Sequence, residues 1–94
     1  EITKAQLLAI QLGKLKDDNL LDFSHISIGK KNNVAIARDC AKSAREILGA
    51  NGIMDDYSVM RHMMNLETVY TYEGTHEIHT LIIGQKITDL SAFE

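Results

Sequence analysis

Proline is absent from all 94 residues, so the commonest helix breaker is missing and long uninterrupted helices are possible. Aromatic residues are scarce, at 5%. A single cysteine, Cys40, excludes a disulfide within the chain and makes a reducing, intracellular setting the default expectation. Positive charge is not in excess. Ten Lys and Arg face thirteen Asp and Glu, and a net charge of −3 offers no field to draw in nucleic acid or an anionic membrane. No apolar run approaches the length of a membrane span, and no signal peptide is recognisable. An initiator methionine is missing too. The chain opens on Glu1-Ile2-Thr3-Lys4 with an amphipathic pattern already under way, which reads as a piece cut inside a helix, with any targeting segment upstream.

What is present fits one small globular domain with one core: 45% hydrophobic and 24% charged residues. Ile2, Leu8, Leu12 and Leu15 recur at helical spacing over residues 2–16, and Asp17-Asp18-Asn19 breaks the pattern. After an apolar link at 20–23, Ser24 is a candidate N-cap for a long helix over 25–48. Its stripe of Ala37, Cys40, Ala41, Ala44, Ile47 and Leu48 is narrow enough for a neighbouring helix to approach closely. Gly49-Ala50-Asn51-Gly52 ends that helix. A third helix is expected from a cap at Asp55 or Asp56 to Leu66, burying Val59, Met60, Met63 and Leu66. Residues 68–72 are β-branched and aromatic, but a lone five-residue strand would have no partner, so they read as a helix end or an extended connector. Glu73-Gly74-Thr75 is a turn, a fourth helix follows to about Lys86, and Thr88 could cap a last short turn ending near Phe93. Four helices with short links predict an all-α, four-helix up-down bundle.

Four stretches, in order, carry a resemblance: Ala44-Arg45-Glu46-Ile47-Leu48-Gly49-Ala50-Asn51-Gly52-Ile53; Arg61-His62 through Asn65-Leu66-Glu67; Tyr70-Thr71-Tyr72-Glu73-Gly74-Thr75; and Leu81-Ile82-Ile83-Gly84. Together they resemble the acyl-CoA dehydrogenase family over nearly the whole chain, with Ala50 standing where the family's Gly-Gly-x-Gly turn has its second glycine. The run from Leu66 to His79 and the ending Ile87-Thr88-Asp89-Leu90-Ser91-Ala92-Phe93 are most similar to the glutaryl-CoA dehydrogenases.

The resemblance implies that residues 1–94 are the C-terminal helical domain of a larger α+β flavoenzyme whose N-terminal helical and middle β domains lie elsewhere. Glu73 matches the carboxylate that removes the α-proton of an acyl-CoA while hydride passes from the β-carbon to FAD. Glutamate in water, with a pKa of about 4.3, is a poor base for so weak an acid, and desolvation in a closed site improves it. Tyr72 and Gly74 match substrate-side positions, the glycine allowing close approach, and the Glu73 amide is the donor expected to polarise the thioester carbonyl. Thr75 matches a flavin contact that also suits an N-cap. Glu46, Ile47, Leu48, Gly49 and Ala50 match the stretch that touches the nucleotide half of FAD bound to a neighbouring subunit, and Phe93 resembles a terminal aromatic near the flavin. Where the family often has glutamine, the Glu46 carboxylate would face a phosphate-bearing ligand. A homotetramer, electron-transfer flavoprotein as acceptor, and a prokaryotic cytoplasm or mitochondrial matrix are implied in the same way. Such an enzyme would oxidise glutaryl-CoA and release CO₂ to give crotonyl-CoA. Another short-chain acyl-CoA dehydrogenase or an oxidase would share the same helical end, and the segment alone could be an assembly module, inactive by itself.

Other features have plainer readings. His76-Glu77-Ile78-His79 lacks the spacing of a zinc helix and a third ligand, so no metal is expected. Cys40 and the methionines at 60, 63 and 64 are core filling. His25 and His62 read as surface or packing residues, and Lys30-Lys31 with Arg38, Lys42 and Arg45 as a solvated face.

Overall fold

The computed structural model describes residues 1–93. Four helices follow one another: α1 (Ile2–Asp17), α2 (Phe23–Ile47), α3 (Val59–Thr71) and α4 (His76–Thr88), with a 3₁₀ turn at Gly49–Ile53 between α2 and α3. No strand occurs among the described residues, so the all-α expectation holds. Nor, among them, is any helix long and apolar enough to cross a membrane.

Helix α1 ends with Lys14 and Lys16 in its last turn, where cations offset the negative end of the helix dipole, and Asn19 turns the chain with φ +57°. Leu8, Leu12 and Leu15 are half-buried as the spacing predicts, whereas Ile2 stays exposed. The approach of α1 to α2 is closest at Gly29, where an added Cβ would lie 2.3 Å from Leu12 Cδ1.

Helix α2 starts earlier than its sequence suggests. Asp22, not Ser24, is the cap: its carboxylate accepts from the Ser24 amide at 2.9 Å and the Ser24 hydroxyl at 2.6 Å. His25 Nδ1 accepts from the Asp22 amide at 3.0 Å, so two otherwise orphaned amides are satisfied reciprocally. A carboxylate is the stronger acceptor, and Ser24 is left as a buried donor to it. Along the small-residue stripe Ala37, Cys40, Ala41, Ala44 and Leu48 are half-buried, but Ile47 is 85% exposed.

Helix α3 begins after Ser58, without a side-chain cap from Asp55 or Asp56. Val59, Met60, Met63 and Leu66 are half-buried, and the helix continues through the β-branched run to Thr71, whose hydroxyl donates to the Glu67 carbonyl at 2.9 Å. Packing against α2 overrides the strand propensity of 68–71, and Tyr72 alone is extended. Thr75 caps α4 as expected, its Oγ1 accepting from the Ile78 amide at 3.2 Å. Thr88 begins no new helical turn. It is the last residue of α4, donates to the Gly84 carbonyl, and is followed by Asp89 with φ +57°.

The helices α1, α3 and α4 each pack on α2, which is the hub of the bundle. The single core expected from chain length is not closed within these residues. The extents are 48 × 32 × 18 Å and the radius of gyration is 16.0 Å, against about 13 Å for a compact domain of roughly 100 residues. The accessible surface is 6966 Å², where a self-contained fold of this mass exposes roughly 5,400 Å². Val34 is the one buried apolar side chain among the described residues, while Phe23, Ile47, Ile87 and Leu90 are all at least 70% exposed.

Candidate active site

Four polar ties run along α2 in strict antiparallel order. Asp22 pairs with Lys86 at 3.0 Å, Ser27 Oγ with His79 Nδ1 at 3.0 Å, Lys30 with the carbonyls of Tyr72 and Gly74, and Arg38 with Glu67 at 2.8 Å. As the α2 number rises the partner number falls, so α4 and then α3 are laid along one face of α2. The interruption between them, residues 72–75, falls opposite Lys30. Glu73 sits at that joint.

The joint has unusual backbone geometry. Glu73 has φ +54° and Gly74 has φ +90°. For glutamate the left-handed region costs about 1–2 kcal/mol, so surrounding contacts must impose it. Three do. The Lys30 ammonium donates to the Tyr72 carbonyl and, at 2.6 Å, to that of Gly74. Rings on either side of the joint stack, with Tyr70 and His76 centroids 4.7 Å apart and 12° from parallel, and the Arg38 guanidinium lies 4.1 Å from the Tyr70 centroid. Beneath Gly74 lies the buried His79 ring: a Cβ on Gly74 would stand 2.9 Å from Nε2 and 3.2 Å from Cε1. Glycine is therefore required at 74 on two counts, the backbone angle and the space.

The Glu73 side chain and the Tyr72 ring are exposed, and the Lys30 ammonium is 5.6 Å from the centre of that ring. In α3 the last amide to donate down the helix is that of Tyr72, to the Thr68 carbonyl at 2.9 Å. The Glu73 amide is the first beyond that ladder. An acid, a free amide and a glycine thus lie consecutively on an open surface, an arrangement able to hold a carbonyl oxygen and take up a proton beside it. A groove of about 410 Å³ between α2 and α3 is lined by Arg38, Lys42, Met63, Glu67, Tyr70 and His76 and does not include Glu73.

The remaining site residues suggested by the sequence lie apart from this joint. From Lys30 to Glu46 is about 24 Å along α2 at 1.5 Å per residue. Glu46, Ile47, Gly49 and Ala50 are exposed there, Leu48 is half-buried, and Gly49 has φ +58° with no atom within 4 Å of where its Cβ would be. Phe93 is exposed beyond the far end of α4, which lies beside the start of α2. Of the set, Tyr72, Glu73, Gly74 and Thr75 are the members that lie at the α3–α4 joint.

One plain reading of the sequence needs correction. Lys30 and Arg38 do not belong to a free solvated face, since each reaches across to the α3–α4 segment. His76 is stacked on Tyr70 and His79 is tied to Ser27. No group of three metal-ligating side chains occurs among the described residues. Ser27, Lys30 and His79 escaped sequence reasoning. Their only signal was the i, i+3 placement of Ser27 and Lys30 on one helix face.

Residues 1–88 match the family described as the acyl-CoA dehydrogenase C-terminal domain. Among curated relatives, the chain is 32% identical to a glutaryl-CoA dehydrogenase of Desulfococcus multivorans over 85 residues, 89% of this chain and 22% of that protein. It is 30% identical to a short-chain-specific acyl-CoA dehydrogenase of Clostridium acetobutylicum over 86 residues, 92% of this chain and 23% of that protein. A crystal structure of glutaryl-CoA dehydrogenase from Mycobacterium smegmatis superposes with a TM-score of 0.90 at 55% identity, covering 94% of this chain and 23% of that one. A glutaryl-CoA dehydrogenase from the same organism, in complex with FADH2, gives 0.88 at 49% identity with the same coverage. The chain thus spans under a quarter of the length of each of these proteins. Matched from its first residue to the end of α4, and superposing over 94% of its length on two solved glutaryl-CoA dehydrogenases, the chain belongs to the acyl-CoA dehydrogenase family, within its C-terminal helical domain.

Proposed function

We propose that this chain supplies the proton-abstracting carboxylate, Glu73, of a flavin-dependent dehydrogenase acting on glutaryl-CoA. The observation that carries the reading is the joint itself: Glu73 is forced into a left-handed conformation between α3 and α4, with its own amide free of the helix ladder and an obligatory glycine behind it. The 55% and 49% identities to two solved glutaryl-CoA dehydrogenases favour glutaryl-CoA among acyl-CoA substrates.

In this reading the thioester carbonyl accepts from the Glu73 amide, which lowers the cost of negative charge on that oxygen as the α-proton leaves. The Glu73 carboxylate takes that proton. FAD, when bound, supplies the acceptor for the hydride leaving the β-carbon. Loss of the γ-carboxylate as CO₂ from the resulting unsaturated thioester, with return of a proton, gives crotonyl-CoA. Glu73 holds a proton at that stage and is placed to return it.

This chain's surface suits the cofactor in two places. Around Gly49 and Ala50 the bare, exposed turn has open space where a side chain would stand, and residues 46–50 would hold the nucleotide half. Thr75 Oγ1 is occupied as an acceptor by Ile78, so its hydroxyl hydrogen remains free to donate to a ring acceptor. Their separation along α2 suits residues 46–50 serving the site of a neighbouring subunit in a homotetramer. The exposed Glu46 carboxylate would then face ribose or adenine donors, since beside phosphate it would be repelled. Remaining walls of the Glu73 pocket belong to an N-terminal helical and a middle β domain, and electrons leave to an electron-transfer flavoprotein.

The test is Glu73→Gln in the full-length flavoenzyme. The variant should fold and hold FAD, yet bleach its flavin with glutaryl-CoA about 10²–10⁴-fold more slowly, the range for loss of a general base. A loss of only a few fold would remove Glu73 as the base. Labelled CO₂ release from glutaryl-CoA, compared with turnover of butyryl-CoA, separates glutaryl-CoA specificity from that of a short-chain dehydrogenase or an oxidase.

A further inference from the structure

We infer that Lys30 is a positioning residue for this reaction, setting both the Glu73 carboxylate and the Glu73 amide from the far side of the chain; the inference rests on Glu73 being the base. The ammonium donates to the two carbonyls that bracket residue 73, those of Tyr72 and Gly74. A trans peptide group directs its N–H opposite to its C=O. Drawing the Tyr72 carbonyl onto Lys30 therefore turns the Glu73 N–H away from α2, toward the open surface where a thioester oxygen would lie. The same contact polarises that peptide group, so a cationic donor on its oxygen makes its N–H a better donor. The second contact, on Gly74, closes the segment and holds the left-handed angles of residues 73 and 74.

No other side chain provides this tie at the joint. Ser27 and His79 support the floor beneath Gly74, and the Tyr70–His76 stack braces the flanks, but neither contacts the carbonyls on either side of Glu73. Lys30 also lies 5.6 Å from the Tyr72 ring centre, so one cation fixes the acid, the oxyanion donor and the neighbouring aromatic together. Its role requires no contact with substrate.

The experiment uses the full-length flavoenzyme with Lys30→Met, Lys30→Arg and Glu73→Gln. K30M should retain FAD and KM within a few fold, while kcat falls by about 10², the cost of a misplacement near 1 Å or of one oxyanion donor. Its kinetic isotope effect with α-deuterated glutaryl-CoA should rise, because proton abstraction becomes slower relative to the other steps. The infrared carbonyl stretch of ¹³C-thioester-labelled glutaryl-CoA, bound to the E73Q protein, should move to higher frequency in E73Q/K30M as polarisation is lost. K30R keeps a charge and two donors, and should keep the E73Q stretch and most of the turnover. A purely structural lysine would move none of these spectroscopic readouts. K30M turnover within a few fold of wild type, with E73Q inactive, overturns the role of Lys30 and leaves Glu73 standing. A fall in kcat with both the stretch and the isotope effect unchanged overturns it as well. If K30M fails to fold, K30R is judged by the same stretch and isotope effect. An active E73Q enzyme overturns the base assignment, and this inference with it.

Discussion

Replacing Gly74 by alanine perturbs the joint at its tightest point. A methyl group at 74 would stand 2.9 Å from His79 Nε2 and 3.2 Å from Cε1, inside van der Waals contact with a ring that is only 7% exposed. That ring cannot swing aside freely, because its Nδ1 is tied to the fully buried Ser27 hydroxyl at 3.0 Å. Backbone strain adds to the clash: φ is +90°, and an alanine held in a sparsely populated region costs of order 1–3 kcal/mol. Overpacking a fixed side chain typically costs a further 1–3 kcal/mol or so. Because Lys30 and the two helix ends hold the segment, relief should come from displacement of the joint rather than unfolding of the domain. The full-length G74A enzyme should therefore hold FAD and lose turnover by about 10², as for a misplacement of roughly 1 Å in a reacting group. Stopped-flow bleaching of the flavin by glutaryl-CoA measures the rate, and hydrogen exchange of the amides at 73–76 measures the displacement. The cycle with His79→Ala is the sharper test. Removing the ring relieves the clash and leaves the φ strain, so G74A should cost less in the H79A background. Equal cost in both backgrounds, or wild-type bleaching in G74A alone, would refute the reasoning.

Two further perturbations probe the frame that holds the joint. Asp22 is held well below the usual carboxylate range, first by the Ser24 hydroxyl, then by the Ser24 amide and Lys86. A carboxyl lowered on folding contributes stability that is present above its unfolded value of 3.8 and is lost as pH falls through and below it. The protection of the first amides of α2 from hydrogen exchange, corrected for the intrinsic pH dependence of exchange, should fall below that pH in the wild type and be largely insensitive to it in Asp22→Asn. Gly29→Ala places a methyl 2.3 Å from Leu12 Cδ1; overpacking of about 1–3 kcal/mol is partly offset by about 1 kcal/mol of helix propensity. A lowered Tm for G29A, and a smaller further loss when Leu12→Ala is added than the single changes sum to, would show that these two helices meet at Gly29; strict additivity would show that they do not.

Helix positions were legible where local chemistry and packing agree. The α1 stripe of Leu8, Leu12 and Leu15, the left-handed stop at Gly49 and the Thr75 cap each follow from residues within one or two turns. Legibility failed where a nearby competitor or a distant helix decided the outcome. Ser24 is a good cap, but a carboxylate two residues earlier is the better acceptor. The run 68–71 favours a strand in isolation, but its partner is a helix, α2. In the candidate site, Glu73 and its neighbours stand out because motif and turn chemistry coincide in six consecutive residues. Lys30 left no such trace. Its partners are backbone carbonyls 42 and 44 positions away, and a backbone acceptor carries no residue identity to read.

Why those partners fall opposite Lys30 follows from the ladder of ties on α2. Asp22, Ser27, Lys30 and Arg38 meet Lys86, His79, the 72–74 segment and Glu67 in descending order. Two of these ties, Asp22 with Lys86 and Arg38 with Glu67, are solvent-accessible ion pairs, which individually contribute about 1 kcal/mol or less. Their effect is register: a slip of either helix by one turn would move its residues about 5.4 Å past α2 and take the joint away from Lys30. Each tie is thus small beside the packing of α1, α3 and α4 on α2, so the overall stability of the bundle does not depend on any single one. Placement of Glu73 does. Substitutions on α2 that face the joint should therefore alter turnover more than stability, although none of Ser27, Lys30 and Arg38 hydrogen-bonds the Glu73 carboxylate.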